Sequence, residues 1–246
     1  MKKLLLLLFL GFTLVGFSQT TLIPDPNFEQ ALIDLGYDTA PINGSVPTAN
    51  ISNVTSLNLV NNITDLTGIE DFAALTYLDC SGNPLISLDL SSNTALQALT
   101  CVACQLTNLN VSNNTALIEL NIQINQLTSL DVSNNNALQT FYCFGNQLTS
   151  LDVSNNTELN ILDCQGNQLT SLDFTGANAL TTLSCSFNQL TSLDFNGANA
   201  LTYIQCEFNP LTSLDVSNNN ALTNLSCTDN QLTSLDLSNN TALTFL

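Results

Sequence analysis

The chain of 246 residues has almost no positive charge: two basic residues, Lys2 and Lys3, and no histidine, against 20 acids. That poverty excludes several functions. Phosphate contacts depend on Lys and Arg, so nucleic acid is not an expected partner, and an acidic surface disfavours anionic membranes. Without histidine the chain lacks the commonest general base and metal ligand. There is no glycine-rich phosphate loop and no Ser or Cys nucleophile with a plausible partner, so the sequence reads as non-enzymatic. Cationic partners or divalent ions are what such a field attracts.

A comfortable membrane span is also missing. The apolar stretch Leu4 to Phe17 is too short for one. With Lys2 and Lys3 before it and Gly16-Phe17-Ser18 at its end, it reads as a secretory signal over residues 1–18. No cysteine follows directly, which argues against a lipid anchor. The mature chain then starts near Gln19, is expected to be secreted or at the cell surface, and carries no base at all.

What is present in abundance is repetition. Leu75, Leu96, Leu117, Leu138, Leu159, Leu180, Leu201, Leu222 and Leu243 stand 21 residues apart without insertion or deletion. Leu159-x-x-Leu162-x-Cys164-x-x-Asn167 is a clean copy, and an echo such as Leu127-x-x-Leu130-x-Val132-x-x-Asn135 lies inside each period. Alternating apolar and polar residues indicate strands. A fixed period of this length indicates a solenoid whose coils bury their apolar sides only by stacking. Two parallel ladders follow, with coils about 4.8 Å apart.

The signature Leu-x-x-Leu-x-Cys-x-x-Asn-x-Leu-x-x-Leu-Asp-Val resembles the bacterial leucine-rich repeats of the 21-residue IRREKO type, over residues 75–246. A degenerate first copy runs from Val54 through Leu57, Leu59 and Asn62, and its Ile63 to Ile69 stretch is more similar to internalin repeats. The resemblance implies a right-handed, predominantly β leucine-rich repeat solenoid. Its main parallel ladder would lie on the concave side, with a shorter second ladder on the convex side. It also implies a binding role through the concave face.

The expected organisation is a cap over 19–53 and a solenoid over 54–246 whose C-terminal cap is missing. In the cap, Asp25-Pro26-Asn27-Phe28 starts a short helix and Gly36 ends it. Phe28, Ala31, Leu32 and Leu35 are expected to share the face that covers the first coil. An uncapped far end would permit end-to-end association, though a monomer is favoured.

Three columns invite chemistry. Asn62, Asn83, Asn125, Asn146, Asn167, Asn188, Asn209 and Asn230 are expected to point inward and satisfy backbone groups at a bend. Cys80, Cys101, Cys143, Cys164, Cys185, Cys206 and Cys227 form a second inward column, with Ile122 in the third copy and Cys104 standing in the Asn column. In-register side chains sit roughly 5 Å apart at their β-carbons, whereas a relaxed disulfide needs about 3.8 Å. Buried free thiols are therefore expected, and ligands in a line make no tetrahedral metal site. Asp89, Asp131, Asp152, Asp173, Asp194, Asp215 and Asp236 are expected on the convex surface, satisfied by nearby Ser and Thr and by solvent ions. Weak Ca²⁺ binding along that column is the sharper alternative. A Thr column from Thr107 to Thr233 raises ice binding only remotely, and the sequons at Asn113, Asn155 and Asn239 read as turns.

No residue is expected to be catalytic or to bind metal. The solvent-facing positions of the concave strand carry the candidate ligand-binding residues: Tyr77, Asp79, Glu119, Tyr142, Phe144, Asp163, Tyr203 and Glu207, with Phe187 and Phe208 at the rim. Aromatics beside acids suit contact with an extracellular protein or a glycan. The alternatives are a structural spacer or adhesin stalk, or the repeat region of a larger protein with a catalytic or anchoring domain beyond residue 246.

Overall fold

A computed structural model describes residues 19–60, 62–85 and 87–246; the expected signal at 1–18 lies outside the described residues. The chain opens with β1 (Thr20–Leu22), which pairs antiparallel with β2 (Ser45–Pro47), a pairing the sequence did not suggest. Between them lies α1 (Pro26–Asp34), and α2 (Thr48–Ile51) follows.

Asp25 starts α1 as expected and does more. Its Oδ1 accepts from the amides of Asn27 and Phe28 at 2.8 and 3.2 Å. Its Oδ2 accepts from the Thr64 amide and hydroxyl at 2.7 and 2.8 Å and from the Asp65 amide at 3.1 Å. One carboxylate thus caps the helix and ties it to the first coil. Phe28, Ala31 and Leu32 are buried, and Phe28 stacks on Phe72 with centroids 6.3 Å apart, so the helix does cover the coil end. Leu35 departs from expectation: it is 46% exposed, because it is the C-cap residue and the chain turns away at Gly36, whose φ is +81°. Instead the face hides Glu29, fully buried, whose carboxylate accepts from the amides of Asn43 and Gly44 at 2.6 and 2.7 Å.

From β3 onward the chain returns to the same place every coil. The strands β3 (Ser56–Asn58), β4 (Tyr77–Asp79), β5 (Ala98–Thr100), β6 (Glu119–Asn121) and β7 (Thr140–Tyr142) lead into β9 (Ile161–Asp163), β11 (Thr182–Ser184), β12 (Tyr203–Gln205) and β13 (Asn224–Ser226). Together they form one nine-stranded parallel sheet. The register never slips: Leu57, Leu78, Leu99, Leu120, Phe141, Leu162, Leu183, Ile204 and Leu225 pair in turn, all buried. A one-residue slip would turn this whole row outward, so burial itself fixes the register. On the other side only β8 (Ser150–Asp152) and β10 (Ser171–Asp173) pair as strands among the described residues. This is the shorter second ladder. A single 3₁₀ turn at Ile69–Asp71 belongs to the first coil.

The Asn column closes the bends. Asn125 donates to the carbonyls of Cys101, Ile122 and Gln123 at 2.8, 3.0 and 3.2 Å and accepts from the amides of Cys104 and Leu106. Asn62 is a correction: it is exposed with φ +53°, the conformation that Gly82, Ile124 and Gly145 hold one residue before the Asn of later coils. A second buried Asn ladder stands on the other side of the coils: Asn93, Asn114, Asn135, Asn156, Asn219 and Asn240. Asn114 donates to the carbonyls of Leu90 and Asn93, both at 3.0 Å. Where this ladder is broken by Ala177 and Ala198, Phe174 and Phe195 replace the usual Val and stack 5.7 Å apart. Gly176 and Gly197 precede those alanines because a Cβ there would lie 1.8 and 2.0 Å from the Ser154 and Thr175 carbonyl oxygens.

Candidate functional site

A three-residue strand buries its middle side chain and turns the first and third outward. The exposed face of the nine-stranded sheet therefore holds the residues singled out from the sequence, in separate groups. Tyr77 and Asp79 flank Leu78 on β4, with Asp79 accepting from the Ser81 amide at 3.0 Å. Glu119 stands alone on β6. Tyr142 and Asp163 are register partners on β7 and β9. Phe144 joins them, lying over Gly166, where a Cβ would come 3.3 Å from its ring. Asp163 accepts from the Gln165 amide and side chain, both at 3.2 Å, yet burial pushes its carboxyl above the ordinary range.

The most developed group surrounds Glu207. A hollow of about 250 Å³ is lined by Tyr203, Gln205, Glu207, Asn224, Ser226 and Phe245. The Glu207 carboxylate accepts from the hydroxyls of Ser186 and Ser226. Burial raises its pKa, but those two bonds and its own backbone amide outweigh burial and hold it below the ordinary value. Burial, and then the Glu207 charge, push the Tyr203 phenol upward. At neutral pH this is a fixed anion beside a neutral phenol. Ser186 and Ser226 were not evident from the sequence. Ser186 stands in the column of the candidates Phe144 and Glu207, which were expected to face solvent, but it is fully buried beneath Glu207. The signal available was offset alone: in a 21-residue ladder, residues 21 before and 19 after Glu207 lie in neighbouring coils.

At the rim, Phe187 and Phe208 stack with centroids 4.4 Å apart and planes 12° from parallel. They are 54% and 47% exposed and hold φ of +56° and +52°, a region bulky residues rarely adopt. Gly145 and Gly166 hold the same position in earlier coils. Strain of this kind persists where surrounding structure enforces it.

Of the remaining columns, the Cys column lies inward and the Asp column outward. All eight cysteines are free, buried except for the half-buried Cys227. Asp89, Asp131, Asp173, Asp215 and Asp236 are exposed, and each accepts from the backbone amide two residues on. Bonds from those turn residues, Ser or Thr, hold their carboxyls below the ordinary range. The turn is thus the reason for the acid at that position. Larger hollows of about 390 and 330 Å³ lie along this column, between Ser87, Asp89 and Asn110 and between Asp65, Glu70 and Asp89.

In-register parallel strands, an inward Leu row and an Asn at nearly every bend define a leucine-rich repeat solenoid. Among solved structures, the functional domain of InlJ from Listeria monocytogenes, described as including a cysteine ladder, is 36% identical with a TM-score of 0.72; the match covers 92% of this chain and 56% of that one. Internalin C2 of the same organism is 21% identical over 94% of this chain and 99% of its own, with a TM-score of 0.69. A leucine-rich repeat protein of Leptospira interrogans is 20% identical over 80% and 67%, with a TM-score of 0.52. The last two speak for the fold alone. The chain spans just over half the length of the InlJ structure it matches. No family model and no curated protein matches it. No helix among the described residues is long and apolar enough to cross a membrane.

Proposed function

We propose that the protein is a non-enzymatic, secreted or surface-displayed binding module that engages an extracellular protein or glycan through the open face of its long sheet. The observation that carries this reading is the Tyr203–Glu207 hollow. It joins an aromatic surface to a fixed carboxylate on a scaffold whose register cannot shift, the combination that recognises a polar ligand with an apolar side. The row continues through Tyr142, Phe144 and Asp163 to Tyr77 and Asp79, long enough for an extended partner. A surface without bases selects partners that bring cations or hydroxyl donors to these acids.

Glycan and protein arrays probed with residues 19–246 supply the ligand. Y142A, F144A and Y203A combined are then expected to abolish binding while the melting temperature stays within a few degrees. Unchanged affinity would defeat the site. A spacer role gains some support from the near-identical Asp and Asn columns. Deleting one whole 21-residue copy separates the two: a spacer tolerates the loss, whereas a binding face loses affinity.

A further inference from the structure

Sulfurs stacked in a line cannot surround an ion, but Cys104 leaves the line. It occupies the bend position that other coils give to Asn, between Ala103 and Gln105 at φ +55° and +63°. Its Sγ lies 3.2 Å from the Cys80 carbonyl oxygen. The Sγ atoms of Cys80, Cys101 and Cys104 all lie within 4.8 Å of one another, and all three residues are 0% exposed. Three sulfurs so arranged make a triangle rather than a row.

We propose that this triangle is a binding site for one soft, thiophilic ion of low coordination number, with Cu(I) as its type. An ion at the centre of three sulfurs with bonds of about 2.3 Å sets them about 4.0 Å apart, inside the span observed. Zinc in a closed site asks for a fourth ligand in a tetrahedron, and the cluster offers three donors with no carboxylate or imidazole. Soft thiolates favour Cu(I), and burial keeps water and oxygen ligands away. Three thiolates around a monovalent ion would bury two net negative charges, so at least one sulfur keeps its proton and the others release theirs on binding.

Residues 19–246 refolded without oxygen in the presence of Cu(I) are expected to retain one copper per chain, with a sulfur-to-copper charge-transfer band in the near ultraviolet. C104N restores the residue the other bends use, so it should fold with an unchanged or higher melting temperature and retain no copper. C164A, in the straight part of the column, should retain it. A wild-type chain that holds no copper, or a C104N chain that does, overturns the proposal. So does a disulfide joining Cys104 to Cys80 or Cys101, found by peptide mapping of the denatured, unreduced protein.

Discussion

Leu138-x-x-Phe141-x-Cys143-x-x-Asn146 lies on the sheet side of a coil, and the near copy Leu127-x-x-Leu130-x-Val132-x-x-Asn135 lies on the other. Phe141 is fully buried in β7, whereas Leu130 is half-buried and sits in no strand. Asn146 donates to the Ile122 and Cys143 carbonyls and accepts from the Leu127 amide, so both ends of its amide are used. Asn135 donates to Val111 and Asn114, but its Oδ1 is buried without a partner, as are those of Asn93, Asn114, Asn156, Asn219 and Asn240. Nearly the same pattern therefore yields a zipped sheet on one side and, on the other, coils held largely by single bonds such as Gln147 to Leu127 and Gln168 to Leu148. Only β8 and β10 keep strand pairing on that other side among the described residues.

Truncation of the inward row is expected to show the largest contrast. Leu162→Ala, on β9 in the interior of the long sheet, should cost about 4 kcal/mol, against about 2 kcal/mol for the half-buried Leu172→Ala of β10. Equal losses in denaturant unfolding would mean that both sides pack alike. The Asn ladders come next. Asn146→Leu forfeits three hydrogen bonds and should cost about 3 kcal/mol, while Asn135→Leu forfeits two and frees an already orphaned oxygen, for about 1.5 kcal/mol. Reversal of that order would show that the orphaned oxygens carry hidden partners.

The chain itself suggests a finer test. Asn156→Ala alone should destabilise by about 1 kcal/mol. Adding Val153→Phe and Asn155→Gly reproduces the Phe174, Gly176 and Ala177 arrangement and should return most of it. If the triple variant melts no higher than the single one, the phenylalanines are not what compensates for the missing amide.

The smallest effects are those of pH. Asp25 is held below its ordinary 3.8, burial opposing and bonds from Thr64, Phe28 and Asn27 prevailing. A depressed carboxyl contributes stability above its unfolded value and loses it as the pH falls through the folded one. Melting temperature should thus hold from neutrality to about pH 4 and decline below it, less steeply in Asp25→Asn. Asp163 has the opposite sign, since burial raises it and its charge is a burden at neutral pH. Asp163→Asn should raise the melting temperature slightly at pH 7 and leave it unchanged at pH 3. A fall at pH 7 would show that the charge is supported by partners.

Much of the architecture was legible because in a solenoid it is local. The inward Leu row, the Cys column and the exposed acids each follow from residues 21 apart meeting at strand spacing. Legibility failed where contacts depart from that offset. Glu29 lies outside the helix face expected to be buried, yet Asn43 and Gly44 reach it from a loop with no repeat. Asn62 belongs to the Asn column in sequence, but the degenerate first coil gives it the left-handed backbone that later coils give to the residue before the Asn. Of the candidate site, the list of outward positions was readable. Its grouping was not, because Ser186 and Ser226 meet Glu207 from two different coils.

Period, inward apolar rows and a lack of bases were enough to determine a stacked, acidic, in-register solenoid, since like residues one coil apart can bury themselves in only one way. Which side would zip into nine strands, where Cys104 would turn its sulfur, and which carboxylate would be fixed by two hydroxyls were decided in three dimensions. Those outcomes depend on how each bend closes and how far apart the coils then sit, and near-identical motifs on the two sides leave both open until the chain is folded.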